Sequence, residues 1–248
     1  MTSLPTLFGR PLMAALLCTA MLSGTAMAQS GPAGTAVVAP GGGTNMDPAA
    51  TARDLRDVGV FDLAQRMFAL GRANQDPLLV IAAARLALST AEPTERRTPD
   101  EQPARQRPAD LEAAGPDRAG IVAAARQMAA SSGDATLIAL AQGLVEPTSR
   151  GRVGGSAHDR DWISTGHRIT YNRDMVFRGQ ELAEVSIAGG PNARLNLYVY
   201  DQNGNLICEA RRAGSNQYCS WIPRWTGPFR VVIDNVGDYH SEYVLRSN

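Results

Sequence analysis

Side chains able to do chemistry are sparse in this chain, and its one catalytic grouping is Asp238, His240 and Ser241. A serine hydrolase needs nucleophile, base and orienting acid within hydrogen-bond reach. His240 and Ser241 are adjacent, however, and adjacent residues of a strand project to opposite faces, which works against such a relay. Neither these nor His158 and His167 stand in a His-Glu-x-x-His context, so a zinc centre has no motif behind it. Gly-x-Ser-x-Gly elbows, phosphate-binding loops and dinucleotide fingerprints are absent from the sequence. The expectation is a protein with no catalytic residues, no metal site and no cofactor.

Two further groupings carry chemistry of another kind. Asp201, Asn203 and Asn205 imitate the opening of a calcium-binding EF-hand loop, but Gly204 comes two positions early and Arg212 stands where the bidentate Glu belongs. Asn203-Gly204 is instead the strongest hairpin-turn signal in the chain. Cys208 and Cys219 flank the turn-rich stretch ARRAGSNQ, far from the Cys-x-x-Cys spacing of a redox pair. In an oxidising compartment the default is a disulfide that cross-links neighbouring strands.

That compartment is read from the N-terminus. Arg10, the apolar run Leu12 to Leu22 and the small-x-small triplet Ala26-Met27-Ala28 form an export signal over 1–28, cleaved near Ala28. The apolar run falls short of the roughly 20 residues of a spanning helix, and the mature chain has no transmembrane segment. Leu17 precedes Cys18, where a lipoprotein signal wants a small residue. The expected location is the bacterial periplasm or the outside of the cell.

The remaining chemistry lies in aromatic residues. If Leu195, Leu197 and Val199 point into a sandwich, strand alternation sends Asn196, Tyr198 and Tyr200 outward. With Tyr218 and Trp225 nearby, these tyrosines form a candidate platform for sugar rings or an extended peptide. The competing arrangement packs the same face onto the helical part, or reverses the parity at a bend.

The chain that carries these residues divides into two halves. Residues 29–50 are Gly, Ala, Pro and Thr with little else, too poor in apolar area to offset their ordering entropy, and read as a disordered tether. Residues 51–146 carry helical spacing. Val60, Leu63, Met67 and Leu70 mark one face, widened by Phe61, Ala64 and Phe68. Asp76-Pro77 then caps LLVIAAARLAL. Ile121, Ala125 and Met128 mark a third helix, and Asp134 caps a fourth with Leu137, Leu140, Ala141 and Leu144. The hairpins read as a four-helix bundle or as repeats of tetratricopeptide type. Within them the proline-rich polar stretch 91–116 reads as a disordered loop.

Residues 147–161 read as a linker, and every Trp and Tyr lies beyond them. Aromatic and β-branched enrichment with regular turns predicts an antiparallel β-sandwich over 162–248, with strands at 167–177, 182–188, 194–201, 205–211, 217–222, 228–235 and 242–247. The fold class is α+β multidomain. Acidic and basic residues balance at 24 each and no basic block occurs, so the footprint of a nucleic-acid binder is missing. All 24 of the basic residues other than histidine are arginine, a bias that reports a GC-rich genome.

The segments LNLYVYD with NGNL after it, CSWIPRW, TGPFRVVIDN with Gly237, and the ending YVLRSN resemble the bacterial pre-peptidase C-terminal family from about Thr170 to Asn248. Helical hairpins followed by such a module also resemble a layout seen in exported bacterial proteins. The resemblance implies a jelly-roll sandwich that binds, shields or positions a partner. Several members bind calcium through acidic residues before the LYVYD strand. The matching stretch GGPNARLN offers only Asn192 and Asn196, so calcium is doubtful here. The expected function is non-catalytic binding of a protein, peptide or glycan of the cell envelope. Its rivals are a purely structural, stabilising module and a small hydrolase.

Overall fold

Four helices open the described part of the chain, each for a legible local reason. The first, α1 (Asp57–Ala73), leads through Gln75 in a left-handed conformation (φ 53°) to α2 (Pro77–Leu88). Asp76 caps α2 by accepting the Leu79 N–H at 3.0 Å, with proline at the first helical position. Asp117 and Asp134 cap α3 (Arg118–Ser132) and α4 (Ala135–Gln142) in the same way, and Gly133 ends α3 at φ 68°. Phe61, Ala64, Val80, Ile81, Ala84, Ile121, Ala125 and Leu144 form their common core.

This computed structural model describes residues 43–49, 56–103, 106–145, 157–172 and 175–248. The expected export signal, the tether apart from 43–49, and residues 147–156 of the expected linker lie outside them. All described residues belong to one unit, Val38–Asn248, in which helices and strands pack together. Among the described residues no helix is long and apolar enough to cross a membrane.

The buried face of α1 differs from the expected stripe. Val58, Phe61 and Ala64 are buried, whereas Val60, Leu63 and Met67 are half-buried and Leu70 is exposed. The reason is that α1 packs on two partners, α2 and the sheet, so both contacts set its buried face. At Gly71 an added Cβ would stand 2.7 Å from Val80 Cγ2, so glycine permits the α1–α2 contact.

Among the described residues ten strands follow or interleave: β1 (Glu95–Arg96), β2 (Ala157–Ile163), β3 (Arg168–Tyr171), β4 (Val176–Phe177), β5 (Ala183–Gly189), β6 (Leu195–Asp201), β7 (Leu206–Ala210), β8 (Gln217–Trp221), β9 (Gly227–Asn235) and β10 (Ser241–Ser247). They form two sheets, β1-β2-β10-β5-β8 and β3-β9-β6-β7 with β4 on β9. Pairings between these strands are antiparallel except that of β1 with β2. One core lies between the sheets, holding Val185, Ile187, Leu195, Leu197, Val199, Val231, Ile233 and Leu245 and a cluster of Phe177, Trp221 and Phe229 with ring centroids 4.9 to 5.7 Å apart. Helix α1 covers the outer face of the first sheet over β5 and β8. The seven residues of β5 are consequently all buried, one side against the core and the other against the helix.

Two expectations about the chain's boundaries are corrected. Strand β2 of the sandwich begins at Ala157, inside the stretch read as a linker, and pairs with β10 along its whole length. The stretch 91–116 is not loose where it is described. It straps both sheets on one side: β1 pairs with Ala157 and His158, Arg97 N–H donates to His158 O, and Asp100 and Glu101 N–H donate to Thr170 O at 2.9 and 3.1 Å. Farther on, Glu112 bridges His240 and Glu242, and Gly115 bonds Gly189 O. On the opposite side the expected Cys208–Cys219 disulfide is present and joins β7, an edge strand of one sheet, to β8, an edge strand of the other.

Candidate binding surface

Strand β6 alternates as its sequence requires: Leu195, Leu197 and Val199 are fully buried in the core, and Asn196, Tyr198 and Tyr200 point to the outer face of the second sheet. Cross-strand register builds that face into rows. Arg168, Asp234 and Asn196 form one row; Thr170, Val232, Tyr198 and Glu209 the next; Arg230, Tyr200 and Leu206 a third. Arg168 Nη2 donates to Asp234 Oδ2 at 2.7 Å in a forked pair, which holds the guanidinium even more firmly protonated than usual. The Arg230 guanidinium lies 4.6 Å from the centre of the Tyr200 ring, and Asn196 donates to the Tyr198 hydroxyl at 3.3 Å. Leu206, 48% exposed, extends the apolar part of the face toward β7. Helix α1 packs on the other sheet, and among the described residues no helix packs on this face.

The structure separates the other two candidates from this pair. Tyr218 is on β8, in the opposite sheet and opposite Ser186, where its hydroxyl donates to Glu184 Oε1 at 2.7 Å next to α1. Burial, then the neighbouring carboxylate, raise its pKa above the usual tyrosine range. Trp225 lies in the β8–β9 loop at one end of the sandwich. Its backbone N–H and C=O both pair with the side chain of fully buried Asn45, each at 3.1 Å, and its loop rests on Gly179. Alternation along a strand could not reveal this, because which sheet β8 joins is a matter of topology.

Asp201 serves the turn that Asn203-Gly204 announces. Its Oδ1 accepts the N–H groups of Asn203 and Asn205, and its Oδ2 accepts Asn45 N–H and Asn205 Nδ2, all at 2.9 Å. Burial alone would raise its pKa, but these donors outweigh it and hold the carboxyl below its usual range. Both oxygens are thus engaged by protein donors. Among the described residues no three His, Cys, Asp or Glu side chains group closely enough to hold a metal ion.

The Asp238, His240 and Ser241 triplet is not assembled. Ser241, fully buried, donates to Glu242 O at 2.6 Å and accepts from Gly190 N–H at 2.8 Å, while His240 Nδ1 faces Thr165 and Asp238 is exposed. A polar cluster that the sequence did not announce lies inside the sandwich, where the Tyr171 hydroxyl donates to Asp159 Oδ2 at 2.8 Å and stands 2.7 Å from the Tyr243 hydroxyl. Burial raises the pKa of Asp159, partly offset by the Tyr171 bond. Since β2, β3 and β10 supply one residue each, this cluster ties the two sheets together.

No family model matches the chain, and no curated protein does. Solved structures that match include the crystal structure of the Yersinia pseudotuberculosis-derived mitogen, at 13% identity over 39% of this chain and 86% of that one, with a TM-score of 0.27. A likeness that distant carries no argument about fold or activity.

Proposed function

We propose that this is an exported, non-catalytic interaction protein whose β-sandwich, of jelly-roll type as in the pre-peptidase C-terminal family, presents the β3-β9-β6-β7 face to a protein, peptide or glycan of the cell envelope. One observation carries the reading: α1 covers only the β1-β2-β10-β5-β8 sheet, leaving Tyr198 and Tyr200 side by side on the other. Aromatic rings with a polar end, flanked by Arg230 and the Arg168–Asp234 pair, suit a partner that offers both apolar faces and hydrogen-bonding groups.

Crosslinking the mature protein in its native envelope, beside a Tyr198→Ala/Tyr200→Ala variant, tests it. Both rings are half-exposed, so the variant should fold, and captured species should be lost. An unchanged capture pattern with an intact fold would sink the proposal. A second reading, in which the sandwich serves to stabilise the helices, draws on the carboxylate of Glu184, which accepts the backbone N–H of Arg56 at the start of α1. It predicts that the tyrosine variant behaves as wild type in every binding assay.

A further inference from the structure

A groove of about 920 Å3 runs between the helices and the sandwich, away from the tyrosine face. Its walls are α1, α3, the end of the strap at 113–116 and the β7–β8 loop 212–216. Much of the lining is Ala and Gly, so the surface is smooth and backbone lies close beneath it. Phe68, Pro116 and Pro191 supply larger apolar contacts. This size is within the range of about 300–1,000 Å3 that ligand sites occupy.

The charge is one-sided. Arg66, Arg72 and Arg212 line the groove, and among the described residues no acidic side chain does. Asp62, 1% exposed, pairs with Arg66 at 2.9 Å from below, and Arg212 also bears on it electrostatically. That leaves the groove positive, with Arg72 and Arg212 free of ion-pair partners among the described residues. Arg66 and Arg72 are six residues apart on α1, a rise of about 9 Å, so one anionic group would not engage both closely. Gln127 and Asn216 add side-chain amides, each able to donate and accept as a peptide main chain requires.

The loop wall is built in advance. Buried Gln217 clamps it, with Oε1 accepting Arg212 N–H at 3.0 Å and Nε2 donating to Arg212 O at 2.8 Å and to Gly214 O at 3.3 Å. Gly214 takes φ 104°, and the disulfide ties together the strands on either side of the loop. A wall held in this way loses little entropy on binding.

We propose that this groove binds an acidic peptide segment in extended conformation, its carboxylates meeting the arginines at separated points and its main chain meeting the amides. The site is independent of the tyrosine face.

Fluorescence anisotropy of the mature, disulfide-bonded protein with a labelled Glu-Ala-Glu-Ala-Glu-Ala peptide tests the proposal. Binding should be saturable and weakened by salt, and absent for the Gln-Ala counterpart. Affinity should fall about tenfold or more in Arg72→Gln/Arg212→Gln, since each substitution removes a charge-assisted contact. Ala213→Glu, on the exposed loop, should have the same effect and serves if the double variant folds poorly. Glutarate should compete only weakly. No binding of the acidic peptide, undiminished binding by the folded variants, or competition by glutarate equal to that of the unlabelled peptide would each overturn the assignment.

Discussion

Glu184 on β5 accepts the backbone N–H of Arg56 at 3.1 Å, so the N-terminus of α1 is capped by a carboxylate of the sheet and not by a side chain of its own. The same oxygen accepts the Tyr218 hydroxyl at 2.7 Å. A fully buried acid thereby joins the first helix to two strands of the sandwich, at a helix end where negative charge is favourable. Glu184→Ala should destabilise the protein by about 2 kcal/mol or more, leaving a helix end and a tyrosine hydroxyl without a partner. Urea unfolding measures this. A loss under about 0.5 kcal/mol would mean that the cap contributes little.

The pH dependence follows from the same acid. Burial raises the pKa of Glu184 above its ordinary 4.5, and burial likewise raises that of Asp62 above 3.8 against the pull of Arg66. The folded chain holds these protons more tightly than the unfolded chain. Stability should therefore rise as pH falls from neutral through the raised values, and this gain is complete near the ordinary ones. Asp201 acts in the opposite sense. Its depressed pKa gives stability present above the ordinary aspartate range and lost as pH falls through the lowered value. Thermal melts should peak at mildly acidic pH, with a flatter profile in Glu184→Gln. A wild-type optimum above neutrality would contradict this.

Asp201→Ala removes an acceptor engaged by four donors and should cost about 3 kcal/mol. The loss should not depend on added calcium, because the donors that occupy the carboxylate belong to the protein. A melting temperature that responds to calcium in the wild type but not in the variant would refute this account.

The disulfide closes a short loop between edge strands of the two sheets, and Cys208→Ala/Cys219→Ala should cost about 2 to 3 kcal/mol. Labelling of the denatured, unreduced protein should find no free thiol at either position.

The strap makes a prediction that its composition would not. Amide hydrogens of Arg97, Asp100 and Glu101 donate to strands β2 and β3 and should exchange slowly, like those of a sheet. Exchange at the rate of an unstructured peptide would show that the strap is open in solution.

Several features were legible in the residues because they are local. The aspartates that cap α2, α3 and α4, the Asn203-Gly204 turn, the alternation of β6 and the pairing of Cys208 with Cys219 each depend on spacing within about a dozen residues. What tertiary structure alone decided is where distant surfaces meet. Main-chain pairing of the polar strap leaves no hydrophobic pattern to read, since N–H and C=O groups are common to every residue. The same holds for β2, whose inward side carries Asp159 where an apolar residue would have marked a strand. The α1 stripe rotated because two partners compete for one helix, and Tyr218 left the expected platform because strand order assigns β8 to the other sheet. Periodicity fixes which residues share a face; only the packed chain decides what that face meets.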